Sequence, residues 1–103
     1  MQTASDAGYL TIARFSGDGD RLLDEYRQYA AVMDEVGRDH GLIVNAVAST
    51  DAGFLVVNLW PSKEGSDAAA RDPRRLGVVE RAAIAPEQVS REHHELARFV
   101  VFG

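Results

Sequence analysis

The chain has no cysteine, one tryptophan and three histidines in 103 residues, and its formal net charge is −5. Without cysteine there is no disulfide framework and no thiol chemistry, which suits a reducing cytoplasm. The deficit of positive charge argues against nucleic acid, whose affinity rests on Lys and Arg neutralising phosphates. No apolar run approaches the length of a membrane span. The N-terminal Met1-Gln2-Thr3-Ala4-Ser5-Asp6-Ala7-Gly8 has neither the basic region nor the apolar stretch of a signal peptide. Residues 1–7 are expected to be a flexible tail, and residues 8–103 a single domain.

What is present is a run of strand-forming residues, Phe54-Leu55-Val56-Val57-Asn58-Leu59-Trp60, with no Gly or Pro inside it. Alternation puts Leu55, Val57 and Leu59 on one face and Phe54, Val56, Asn58 and Trp60 on the other. Both faces want cover, as in a central strand. The second face also carries an amide and an indole, which seek hydrogen-bond partners.

Around this run the chain reads β-α-β-β-(α-α)-β. Tyr9 to Phe15 forms the first strand, and Arg21 to Asp39 a helix with Asp18 or Asp20 as N-cap. Its apolar stripe is Leu22, Tyr26, Tyr29, Ala30, Met33, Val36 and Gly37, so both tyrosines are expected in the core. Gly41 ends the helix and His40 sits at its C-terminus. Leu42 to Ser49 is the second strand, returning through the turn Thr50-Asp51-Ala52-Gly53. Ser62 caps a helix running to about Arg71, thin in large apolar side chains. Leu76 to Ala85 forms another, with Leu76, Val79 and Ala83 on one side. Val89 to Phe102 supplies the last strand, densest from Leu96 onwards.

This order predicts an α+β, ferredoxin-like domain with a four-stranded antiparallel sheet and helices on one face. Leu55, Val57 and Leu59 are expected to meet those helices. The aromatic face would then be bare, and the simplest cover is a second copy of the same face. That gives a homodimer through the sheet face, with a space between the sheets lined by Asn45, Asn58, Thr11, Trp60 and Phe54.

Val56-Val57-Asn58-Leu59-Trp60-Pro61-Ser62-Lys63-Glu64-Gly65, with the element order and the length, resembles the dimeric α/β-barrel superfamily, most closely its antibiotic-biosynthesis-monooxygenase-like members. The resemblance implies sheet-to-sheet pairing into a dimeric α/β barrel. It also implies cofactor-free oxygenase or cyclase chemistry on a hydrophobic aromatic molecule. The same superfamily holds proteins without known activity, so a non-catalytic binding or scaffold role stands as the alternative. Pro61 departs from the acidic residue common there, and Gly65-Ser66 from an apolar pair. The iron-ligating His and the first-strand Asn of the haem-degrading branch are missing from Ser62–Arg71 and Tyr9–Phe15. No cofactor and no metal are therefore expected.

Glu92-His93-His94-Glu95 is the densest cluster of potential ligands, but a strand splits it two and two, short of a metal site. Its plain reading is a polar lead-in to the last strand. Its functional reading makes His93 or His94 a general base. The candidate catalytic groups are thus His93, His94 and Asn58, and the candidate ligand-binding groups Trp60, Asn45, Thr11 and Phe54. Arg14 and Arg98 are the arginines weighed as anion contacts, each more naturally a solvated or ion-paired group.

Overall fold

The protein is described from a computed structural model covering residues 2–5, 7–82 and 84–102, with side chains from residue 7 onward. The elements run β1 (Gln2–Ser5), β2 (Tyr9–Ser16), α1 (Gly19–Asp39), β3 (Val44–Thr50), β4 (Gly53–Trp60), α2 (Lys63–Ala70), α3 (Pro73–Arg81), β5 (Val89–Glu95) and β6 (Phe99–Phe102). Four strands form an antiparallel sheet in the order β3-β4-β2-β5. The central pair is β4 and β2, and the arrangement is ferredoxin-like, as the element order predicts. No helix among the described residues is long and apolar enough to cross a membrane.

Local chemistry places each boundary. The Asp18 side chain accepts from Arg21 N at 3.2 Å and starts α1. Ser62 Oγ accepts from Gly65 N at 3.3 Å and starts α2. Asp72 caps α3 with Pro73 at its first position, where the missing N–H costs nothing. The β3–β4 turn closes with Gly53 N donating to Thr50 Oγ1 at 3.1 Å. Gly53 is required there, because any Cβ would run into the Phe15 carbonyl oxygen.

The faces of the sheet are the reverse of the expectation. Tyr9, Phe54, Val56 and Trp60 point towards the helices and are buried against Leu22, Val36 and Ala69. Leu10, Ile12, Val44, Leu55, Val57 and Leu59 lie on the helix-free face and are half-buried or exposed. Packing explains the reversal. At one end Trp60 and Tyr9 fill the space beside Val36 and Ala69, and at the other Phe54 and Val56 fill the space beside Leu22. Phe15 and Phe54 stack within the Leu22 cluster at 4.4 Å, with Tyr26 tilted on Phe54 at 5.7 Å.

Three further elements differ from the sequence reading. Gln2–Ser5, expected in a tail, pairs antiparallel with Phe99–Phe102 as a separate two-stranded sheet. The strand that completes the main sheet is therefore the polar Val89–Glu95, not the apolar end of the chain. It is an edge strand, exposed from Ser90 to Glu95 on both faces, and so tolerates charge. Helix α3 begins earlier than expected and is turned so that Val78 is buried while Leu76 and Val79 are exposed. Ala83, assigned to the same stripe, lies outside the described residues.

Candidate functional site

The helix-facing side of the sheet does not pack solid. Between it and α1, α2 and α3 lies a cavity of about 360 Å³, within the range of small-molecule sites. Its walls are mostly apolar: Ala13, Met33, Val36, Leu42, Val56, Trp60, Ala69 and Val78 all contribute. It lies within the single chain, beneath the helices, and not between two stacked sheets as the sequence reading expected.

The floor carries a row of polar side chains set by strand register. Asn45 of β3 is opposite Asn58 of β4, Asn58 is opposite Thr11 of β2, and Thr11 is opposite His93 of β5. One rung of the sheet thus presents Asn, Asn, Thr and His side by side, all lining the cavity. The flanking rungs on the same face carry Trp60 and Tyr9 at one end, and Val56 and Ala13 at the other. A one-residue slip in any strand would send its member of the row to the opposite face.

The row is partly wired together. Asn45 Nδ2 donates to Asn58 Oδ1 at 2.8 Å, and lies 3.5 Å from the Tyr26 hydroxyl. Asn58 Nδ2 has no partner among the described residues. Burial pushes the Tyr26 phenol above its ordinary value; the bond from Asn45 opposes this and the Asp34 charge adds to it. Tyr26 is therefore a neutral hydroxyl at physiological pH. The His93 ring lies 5.9 Å from that of Tyr9 and is exposed at the β5 edge. Trp60 is 5% exposed, and its Nε1 is buried without a hydrogen-bond partner among the described residues.

Of the residues singled out from sequence, Asn45, Asn58, Thr11, Trp60 and His93 come together here. His94 does not. It lies on the helix-free face opposite Leu10, 3.6 Å from Glu92. Phe54 is 1% exposed and sits in the core instead of the cavity wall. Arg14 is on the helix-free face, 3.5 Å from Glu92, and Arg98 follows β5 outside the sheet. Sequence reasoning missed Tyr26, Tyr29, Arg75 and Arg91, which all line the cavity. The tyrosines were legible as an inward stripe, but not as the part of it left unfilled. Arg91 could have been found from alternation, two residues before His93 on the same face.

No protein-family model matches the chain, and no curated protein matches it. Solved structures do. A dimeric ferredoxin-like protein of unknown function from Jannaschia sp. CCS1 aligns over 86% of this chain and 99% of its own, at 13% identity and a TM-score of 0.70. SnoaB, a cofactor-independent oxygenase from Streptomyces nogalater, aligns over 89% of this chain and 92% of its own, at 12% identity and a TM-score of 0.60. An antibiotic biosynthesis monooxygenase aligns over 84% of this chain and 95% of its own, at 9% identity and a TM-score of 0.64. The chain has the ferredoxin-like fold of these dimeric and monooxygenase-type proteins.

Proposed function

We propose that this protein is a homodimeric small-molecule enzyme that binds a flat, hydrophobic aromatic ligand in the cavity and acts on it without a cofactor, as an oxygenase or cyclase. The observation that supports this best is the Asn45–Asn58–Thr11–His93 rung on the floor of an apolar cavity. Chemistry on a phenol or an enolisable ketone needs a base for the proton and donors for the resulting oxyanion. His93 is the base in this reading, the one imidazole that the rung brings to the cavity. The unpartnered Asn58 Nδ2 is the donor to the oxyanion, held in place by the bond that Oδ1 receives from Asn45. Thr11 lies between them and can pass or accept a hydrogen bond. Apolar walls such as Val56, Trp60 and Val78 strengthen the contacts at the half-buried Asn58 and Thr11, while His93 and Asn45 reach solvent at the outer strands. Oxygenation by SnoaB, which shares the fold, is consistent with this use of the scaffold.

The same reading places the dimer on the helix-free sheet face. Rungs there carry Val44, Leu59 and Leu10, then Ala46, Val57 and Ile12, an apolar stripe across three strands. An apolar face of this breadth marks an interface, and a second copy covers it with a twofold contact. The cavity lies on the other side of the sheet, so each protomer keeps its own site.

The test uses Trp60 emission for binding and oxygen uptake for turnover, across quinones, polyketide-like phenols and flavins. Saturable quenching with oxygen consumption that His93→Gln abolishes supports the oxygenase reading. Quenching without any turnover leaves a binding protein with the same cavity. No response across the panel sinks both readings and favours a scaffold. Sedimentation of Val57→Arg should give a monomer with native helix content; a persistent dimer would move the interface elsewhere.

A further inference from the structure

Two arginines line the cavity, Arg75 of α3 and Arg91 of β5, and neither has a carboxylate partner among the described residues. By contrast Arg14 and Arg74 are paired with Glu92, Asp39 and Asp72. Arg75 Nη1 donates to the Ala70 carbonyl at 2.9 Å. That bond fixes one side of its guanidinium and leaves the other free. Burial, and then the Arg91 charge, hold the Arg75 guanidinium below its ordinary value. So the half-buried Arg75 is set against the charge of the more exposed Arg91, an arrangement an anion between them would relieve. Among the described residues, the carboxylates that line the cavity are Glu25 and Asp34, both of α1. None comes from α3 or β5.

We infer that the cavity selects a ligand carrying a carboxylate, which Arg75 and Arg91 clamp at the α3–β5 side while the ring system lies over the polar rung. This rests on the cavity being a ligand site, as proposed above. Arg91 is two residues from His93 on one face of β5, a distance of about 7 Å along the strand. The carboxylate therefore stands roughly the width of two fused rings away from the oxygen that meets His93 and Asn58. Arg suits this position better than Lys, because its planar fork matches both carboxylate oxygens. The clamp also sets orientation, since a ligand entered the wrong way round would bring its anion to Asn45 and Asp34.

The experiment compares anthraquinone-2-carboxylate with anthraquinone-2-carboxamide, by quenching of Trp60 in the full-length protein. The carboxylate should bind about tenfold or more tightly than the amide, the usual worth of a charge-assisted hydrogen bond. Raising the salt should narrow the gap. Arg75→Gln and Arg91→Gln should each remove most of the preference and leave amide binding in place, with folding checked by circular dichroism. Arg91 is on an exposed edge strand, so that arm does not depend on α3 packing. Arg38→Gln, the same charge change on the outer surface of α1, should leave the preference intact. Equal affinity for the two probes, or a preference that survives both substitutions, overturns the clamp and leaves the cavity reading standing. Quenching by neither probe overturns the cavity reading, and the clamp with it.

Discussion

Asn45 and Asn58 face each other across β3 and β4, with Asn45 Nδ2 donating to Asn58 Oδ1 at 2.8 Å. The bond uses the acceptor of Asn58 and points its free amide N–H groups at the cavity. An Asn pair in a core would be a liability. Here the free donors open into a polar rung, where a ligand oxygen can meet them.

Asn58→Ala should therefore cost binding more than stability. The loss of one neutral hydrogen bond should lower stability by about 0.5–1.5 kcal/mol in urea titration. Turnover of any substrate found should fall further, by about a hundredfold or more if the amide stabilises an oxyanion. Asn45→Ala should show a smaller fall, because it positions Asn58 and lies one strand further from His93. Equal effects of the two would assign the pair a structural role only.

Trp60→Phe separates packing from recognition. The indole packs with Tyr9, Val36 and Ala69, so removing part of it leaves space. The same change also deletes a buried donor that has no partner among the described residues, a gain that offsets the lost contacts. The net effect on unfolding should be under about 1 kcal/mol. If the N–H meets the ligand, affinity measured by calorimetry should fall by about 0.5–1.5 kcal/mol. Unchanged affinity would make Trp60 core alone.

Gly65 and Gly77 are both helical and should respond with opposite signs. A Cβ at Gly65 would sit 2.7 Å from the His40 carbonyl oxygen, part of the backbone and unable to yield. Gly65→Ala should destabilise by about 1–3 kcal/mol, the usual cost of overpacking. At Gly77 the nearest atom is the end of the Arg81 side chain at 3.5 Å, an ordinary contact. There the helix propensity of alanine prevails, and Gly77→Ala should stabilise by about 0.5–1 kcal/mol. Thermal melts of the two variants are enough to decide.

Asp72 ties the end of α1 to the start of α3. It binds the Arg74 guanidinium at 2.8 Å and 3.0 Å, and lies 3.0 Å from His40 Nε2. Arg74's side chain first, then His40 and the Arg74 backbone N–H, hold its carboxyl well below the usual range. A lowered pKa means that the folded state binds fewer protons, so stability rises with pH through that window. The contribution is complete above the ordinary value of 3.8 and is lost as the pH falls through the lower folded value. Asp72→Asn keeps the N-cap and loses the charge. It should be less stable than the parent near pH 7, and the gap should close in strong acid. A gap that stays constant with pH would show that the charge carries none of the effect.

The order of the strands, the helices with their Asp18 and Ser62 caps, and the central place of β4 follow from local signals and connection rules. Those signals act over a few residues, so one sequence contains them. Alternation by itself also groups Asn45 with Val47, Asn58 with Trp60, and His93 with Arg91. Alternation cannot say which face meets the helices when both faces of β4 are apolar. That was decided by tertiary packing, which sets Trp60 against Val36 and Ala69, and Phe54 and Val56 against Leu22. Register decided the rest. Only the pairing of four strands could align Asn45, Asn58, Thr11 and His93 on one rung, and send His94 to the opposite face. The two arginines meet across the fold, from a helix and a strand distant in sequence, where short-range patterning carries no information.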